Sequence, residues 1–298
     1  MERQDANLIN ASGIQSMSKK IFKRKFFQFG KLKLSYLDTE TNSNQTIFIT
    51  HANGFSAACY SYILQEFSQS FRIIALDFAS HGDSESTLDF KDWFFLRDQM
   101  LALIEMENLK EIISIGHSMG GATALLSSKK NPERFKKLIL LDPTVLSIRA
   151  LIYKIFFDFP IAKSAKKRRA NFKSLELIRR SFKKFPAFSN WNEQVFEDYL
   201  ESCFKKIDNE FILACSPIHE YKYFSSSSFS NFFRYGKNKI ETHIIIPEKY
   251  EVCSPKQARK IISGNRKSTL QVNAELTHFF PFQQTEFTLN EIRKLISN

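Results

Sequence analysis

At 298 residues, with 43% hydrophobic and 25% charged side chains, the chain can bury a sizeable core, which excludes a mostly disordered protein, a fibrous repeat and a disulfide-stapled miniprotein. Lys and Arg number 43 against 31 acids, and the resulting net charge of +12 points to an anionic partner such as nucleic acid, a lipid surface or an acidic substrate. The 31 Phe and 9 Gly are equally what AT-rich coding DNA produces, so composition leaves the origin of the charge open.

Residues 1–18 are polar, lack the apolar core of a signal peptide, and read as a disordered leader. From Phe26 to Asp38 the chain runs FFQFGKLKLSYLD, an alternating pattern about a central glycine that predicts a hairpin. Thr46 to Thr50 (TIFIT) is a short apolar strand ending at His51-Ala52-Asn53-Gly54-Phe55, and Phe71 to Leu76 (FRIIAL) is another, ending at Asp77 and followed by His81-Gly82-Asp83-Ser84. Helical spacing from Phe90 to Leu109 places Trp93, Leu96, Met100, Leu103 and Ile104 on one face. Glu111 to Ile115 then reads as a strand, Met119 to Ser128 as a small-residue helix, and Lys137 to Leu141 as a strand stopping at Asp142-Pro143. The alternation lapses from Thr144 to Asn238. It resumes with a strand at Glu241 to Ile246, a helix near Pro255 to Ile262, a strand near Thr269 to Val272 and a final helix at Phe287 to Ile296.

Near-continuous apolar strands alternating with helices predict an α/β fold, a mostly parallel twisted sheet with helices on both faces. Residues 19–143 and 239–298 form its core. The roughly 95 residues of 144–238 are too many for a connection, so they are expected to fold as a helical lid inserted after the sixth strand. Cys59, Cys203, Cys215 and Cys253 show neither a C-x-x-C pair nor metal-ligand spacing, and read as reduced, buried thiols of a cytoplasmic protein. No apolar run approaches the roughly 20 residues of a membrane-spanning helix.

Gly116-His117-Ser118-Met119-Gly120 fits G-x-S-x-G. A sharp strand-to-helix turn forces the central serine into a strained conformation with its hydroxyl exposed, and a Cβ at either flanking position would collide with a neighbouring element. A glycine-flanked turn carrying an idle serine shares the pattern. Here an apolar strand precedes the motif, and a helix opening with Gly121, Ala122 and Ala124 follows. Together with Asn53-Gly54-Phe55, Asp77, His81-Gly82-Asp83-Ser84 and a late His-Phe-Phe-Pro, this resembles the serine-nucleophile, lidded esterase/lipase-like branch of the α/β-hydrolase superfamily, from Phe26 to the C-terminus apart from the middle stretch.

The resemblance implies that Ser118 is the nucleophile and that the backbone N–H of Met119 is one oxyanion donor. Asn53-Gly54-Phe55 aligns with the loop that supplies the second donor, which implies Phe55 N–H, with His51 bracing that loop. Of the six histidines, His278 follows the last strand, where the family places its base. His81 belongs to a His-Gly turn, His117 to the elbow, His219 to the insertion and His243 to a strand core. The acid departs from the common pattern: spacing puts Tyr250 where most members carry Asp, and a phenol cannot orient an imidazole as a buried carboxylate does. Asp142, at the end of the sixth strand, is the favoured substitute, with Glu251 as the alternative.

Between Arg149 and Lys184 twelve basic residues stand against two acids, interleaved with six aromatic residues, and Phe185 and Phe188 follow directly. Beside an acyl-transfer site this pattern implies an apolar acyl pocket near an anionic group, or weak contact with an anionic membrane; a solvated helical face gives the same pattern. No nucleic-acid-binding module accompanies the charge, so no nucleic-acid partner is expected. The expected activity is hydrolysis of an ester, thioester or related small acyl substrate through an acyl-enzyme, without metal or redox cofactor. Carbon–carbon bond hydrolysis or cofactor-free perhydrolysis with the same residues, and a non-catalytic binding module, are the alternatives.

Overall fold

The computed structural model describes residues 21–157, 159–227, 231, 234–249 and 252–297; the leader 1–18, Tyr250 and Glu251 lie outside the described residues. In chain order the body begins with strands β1 (Lys23–Phe29), β2 (Leu32–Asp38), β3 (Thr46–Thr50) and β4 (Arg72–Leu76), followed by helix α1 (Phe94–Met106), β5 (Ile112–His117), α2 (Met119–Lys130) and β6 (Phe135–Leu141). The segment between β6 and the returning body holds α3 (Ile148–Phe156), α4 (Pro160–Lys166), β7 (Asn171–Phe172), α5 (Leu175–Phe182), α6 (Glu193–Cys203), β8 (Phe204–Ile207), β9 (Glu210–Leu213) and α7 (Pro217–Ser225). The body then completes itself with β10 (Glu241–Pro247), α8 (Pro255–Ile262), β11 (Thr269–Asn273) and α9 (Thr285–Ser297).

Eight of these strands form one sheet in the order β1-β2-β4-β3-β5-β6-β10-β11. The β1–β2 hairpin turns through Gly30 at φ 58, and β2 joins β4 antiparallel; every other pairing is parallel. All residues of β3 and β5 are buried, which is why they read as continuous apolar runs rather than alternating ones. One face of the sheet is covered by α1, α2 and α8 through Leu96, Leu103, Leu125 and Ile261. The other is covered by α9 and by the segment Ala57–Phe67, through Tyr60, Ile63, Leu289 and Ile292. This is the α/β architecture with helices on both faces that the sequence predicts.

The insertion differs from the expectation of an all-helical unit, because β7, β9 and β8 form a small antiparallel sheet. Its hairpin turns at Asp208-Asn209, with Asp208 at φ 52, the conformation that short polar side chains tolerate in tight turns. Phe172, Ile178, Phe182, Phe196 and Tyr199 of the insertion share one buried cluster with Ile47, Ile113 and Ile139 of the body, so the insertion packs into the same core. The four cysteines are buried and free. Among the described residues no helix is long and apolar enough to cross a membrane.

Candidate active site

The parallel strands β3, β5 and β6 end at one edge of the sheet, and the loops that leave them carry Asn53 to Phe55, Ser118 and Asp142. Ligand sites of open α/β sheets form at this carboxyl edge. Ser118 stands between β5 and α2 at φ 55, ψ −118, a strained position for a residue with a Cβ. Its N–H donates to the Leu141 carbonyl at 3.0 Å. The turn is possible because its flanks carry no side chains. A Cβ on Gly116 would lie 2.6 Å from Gly121 Cα, and one on Gly120 would lie 2.2 Å from the Thr50 carbonyl oxygen.

His278, in the turn after β11, reaches both other groups. Its Nδ1 lies 2.6 Å from Asp142 Oδ2 and its Nε2 lies 3.0 Å from Ser118 Oγ. An ionised carboxylate only accepts, so Nδ1 carries the proton and Nε2 presents a lone pair to the Ser118 hydroxyl. Asp142 is fully buried, its backbone turns at φ 40, and its N–H is tied to the Ile245 carbonyl at 2.8 Å. Its Oδ1 has no hydrogen-bond partner among the described residues, so the carboxylate's hydrogen bonding is directed at His278. Of the two carboxylates weighed from sequence, Asp142 is the one that meets the imidazole; Glu251 lies outside the described residues.

The other histidines are built into the walls. The Tyr60 hydroxyl accepts from Ala52 N–H at 3.2 Å and gives its own proton to His117 Nδ1 at 2.7 Å; His117 Nε2–H then donates to the His278 carbonyl at 2.9 Å. A neutral ring thus ties the loop after β3 to the backbone of His278. His51 donates from Nδ1 to the Ala52 carbonyl and accepts from Phe78 N–H at Nε2, which is the bracing expected of it. His81 accepts from Gly54 N–H at 3.1 Å. Burial pushes the pKa of His51, His81 and His117 below the ordinary imidazole value, with a neighbouring histidine adding repulsion at His81 and at His117. His243 bonds Thr269 and Glu241, and His219 bonds Ser216.

The two expected oxyanion donors differ. Met119 opens α2, so its N–H has no partner inside the helix. Phe55 N–H is instead turned onto the Ala52 carbonyl at 3.2 Å, closing a tight turn around Asn53-Gly54, and in this structure it is not free. Gly54 at φ 82 makes that turn possible, and a tight turn satisfies its own amide in a way that motif alignment does not reveal.

A cavity of about 400 Å³ opens onto Ser118, Met119 and His278, walled largely by Phe55, Trp93, Phe159, Phe188, Phe224 and Phe279. Arg168 is the basic side chain on its wall. Its guanidinium bonds Glu220 at 3.0 Å and the Tyr199 hydroxyl at 2.6 Å, so its charge is already balanced. Other basic residues of the insertion are also paired, Arg179 with Glu197 and Lys183 with Glu193. Two groups of the site were not singled out from sequence. Tyr60 sits in a segment with no motif. Thr144, whose Oγ1 lies 3.1 Å from Ser118 Oγ, follows Asp142-Pro143 and had only that adjacency as a signal.

A family model described as the alpha/beta hydrolase fold matches residues 45–180. The structure superposes on the crystal structure of E-2-(acetamidomethylene)succinate hydrolase with a TM-score of 0.79 at 17% identity, covering 93% of this chain and 100% of that one. The protein has the α/β-hydrolase fold. A peroxisomal α/β-hydrolase of Saccharomyces cerevisiae gives a TM-score of 0.75 at 17% identity, covering 93% of this chain and 89% of that one. Among curated relatives, an inferred esterase/lipase of Haemophilus influenzae is 31% identical over 96 residues, 32% of this chain and 33% of that protein. A second inferred esterase/lipase, from Mycoplasma genitalium, is 37% identical over 102 residues, 34% of this chain and 38% of that protein. The chain thus matches little more than a third of the length of these relatives. Within the α/β-hydrolase fold of this chain, the matched segment 45–180 contains Ser118 and Asp142, and His278 lies beyond it.

Proposed function

We propose that the protein is a serine hydrolase acting on an ester, thioester or related carbonyl of an apolar acyl group. The observation that carries this reading is the chain of contacts from Asp142 through His278 to Ser118, at 2.6 and 3.0 Å, opening into an aromatic-lined cavity. His278 takes the Ser118 proton as Oγ attacks the carbonyl, and Asp142 holds the imidazole in the tautomer that can accept it. Met119 N–H faces the developing oxyanion. Phe55 N–H joins it by exchanging its 3.2 Å bond to Ala52, which is long for an amide hydrogen bond and therefore weak. The cavity favours an uncharged acyl group, because an anionic one would compete with Glu220 for Arg168. With Asp142 at His278, the tyrosine at position 250 is no argument against turnover.

The test is labelling by a fluorophosphonate alongside turnover of p-nitrophenyl esters of graded chain length. Wild type is expected to label and turn over, and Ser118→Ala to lose both, a fall in rate of at least roughly 10³-fold. Folded wild-type protein that does not label would leave the binding-module reading. Product analysis on carbon–carbon and peracid substrates separates the two alternative chemistries, which need the same three residues.

One surface favours a lipid partner as well. Ile148, Ile152, Phe157 and Ile161 of the insertion are each about half exposed, beside exposed Arg149, Lys163, Lys166 and Lys167. Apolar side chains flanked by cations suit an anionic membrane surface. Co-sedimentation with phosphatidylglycerol vesicles is expected at low salt, and at least roughly fivefold weaker binding at high salt or for Phe157→Glu. Equal binding to phosphatidylcholine vesicles, or none to either, would count against this partner.

A further inference from the structure

The three residues that close β6 deliver more than a carboxylate. Asp142 turns the chain at φ 40, and Pro143 packs where a Cβ on Gly121 would lie 2.8 Å from the proline Cβ. Thr144 N–H then donates to the Ser118 carbonyl at 2.9 Å. Thr144 is thereby latched to the nucleophile's own backbone, and its hydroxyl stands 3.1 Å from Ser118 Oγ.

Proton counting sets the direction of that contact. His278 Nδ1–H is given to Asp142, so Nε2 receives the single hydroxyl proton of Ser118. Ser118 Oγ can therefore meet Thr144 only as an acceptor, with Thr144 Oγ1–H donating.

The geometry points to Thr144 as a further catalytic residue, a fixed donor to the Ser118 oxygen whose contribution falls on deacylation; this rests on the serine-hydrolase reading above. In that step His278 Nε2 removes a proton from water while the water oxygen bonds the acyl carbon and the carbonyl pair moves onto the oxyanion. On collapse the bond from the acyl carbon to Ser118 Oγ breaks. Its electron pair returns to Oγ, which takes the proton from His278, and the free acid leaves. Thr144 keeps its own proton throughout. As an ester oxygen Ser118 Oγ is a poor acceptor, and as a departing alkoxide it is a strong one. A hydrogen bond that strengthens between ground and transition state lowers the barrier. In acylation the same oxygen begins as a hydroxyl, already a good acceptor, so the differential gain is smaller.

Burst kinetics with p-nitrophenyl esters on wild type, Thr144→Val and Thr144→Ser read the two steps separately. Thr144→Val keeps the shape and removes the donor; it is expected to acylate within about threefold of wild type and to deacylate about tenfold more slowly. An acyl adduct on Ser118 then accumulates in the intact mass spectrum. Thr144→Ser is expected to restore deacylation to within about threefold. Thr144→Ala, also lacking the hydroxyl, carries the comparison if the valine variant does not fold. Normal labelling with unchanged deacylation in Thr144→Val overturns the role of Thr144 alone, as does a serine variant as slow as the valine one. A wild type that neither labels nor turns over any ester removes the serine-hydrolase reading and this one with it.

Discussion

Asp142→Asn is expected to lower kcat/KM for a p-nitrophenyl ester by roughly 10³–10⁴-fold with the fold intact, whereas Glu251→Gln stays within about twofold. The reason lies in which atom of His278 carries its proton. The carboxylate accepts from Nδ1 at 2.6 Å, leaving Nε2 free to receive the Ser118 proton at 3.0 Å. An asparagine amide at the same place can donate to Nδ1, which moves the imidazole proton to Nε2 and points a donor at Ser118. The nucleophile then has no base. The backbone bond from Asp142 N–H to Ile245 is unaffected, so thermal unfolding should change little beside the loss of rate. Titrating activity against pH, with circular dichroism as the control for folding, checks both halves. Comparable losses in the two variants, or a loss confined to Glu251→Gln, would move the acid to position 251.

Stability is expected to fall steeply on acidification below about pH 6.5, the ordinary imidazole pKa, well before most carboxylates protonate. His51, His81 and His117 are fully buried and neutral, and burial holds their pKa values below that of an unfolded imidazole. The contribution is therefore fully present above the unfolded value. As pH falls, the unfolded chain takes up protons that the folded chain refuses, and stability declines until the depressed folded-state values are reached. Three such groups give a limiting slope of about 4 kcal/mol per pH unit, and His219 and His243 shift in the same direction. Bonding reinforces the sign. A proton on His51 Nε2 would displace the bond from Phe78 N–H, and one on His117 Nδ1 would oppose the Tyr60 hydroxyl. Urea midpoints at neutral pH and near pH 5 measure the slope. A midpoint that does not move over that range would show that the folded protein admits the protons after all.

Both expectations depend on the edge of the sheet where β3, β5 and β6 end, and much of that edge is legible in the chain itself. Short, fully buried strands can only be continuous apolar runs, so TIFIT, EIISI and KLILL announce a sheet covered on both faces. The elbow is legible because both glycines that its turn requires stand in one five-residue motif, although what excludes a side chain at Gly120 is the Thr50 carbonyl of the neighbouring strand. The hairpin at Asp208-Asn209 was not among the expected elements, since the insertion was expected to be helical and its two short polar turn residues stand in no alternating pattern long enough to mark it.

Contacts between distant parts of the chain had no such signal. Asp142 and Glu251 were both plausible partners for His278 because a turn carboxylate looks the same whether or not an imidazole reaches it across 136 residues. Phe55 N–H could be named as a donor by its place after Asn53-Gly54, yet the turn that spends it on Ala52 exists only in three dimensions. The basic run from Arg149 to Lys184 specified a charge, while the pairing of the partly buried Arg168 with Glu220 decided that this part of the charge is balanced at the cavity wall. What the amino-acid sequence by itself determined was the fold and the strand-to-helix turn that carries Ser118, because both follow from hydrophobic pattern and the glycines of one short motif, while His278 was marked out by its place in the family resemblance. Only the tertiary structure showed that Asp142 meets His278, that Thr144 stands beside Ser118 and that Tyr60 links His117 to the loop after β3, because hydrogen-bond partners are chosen by distance in space.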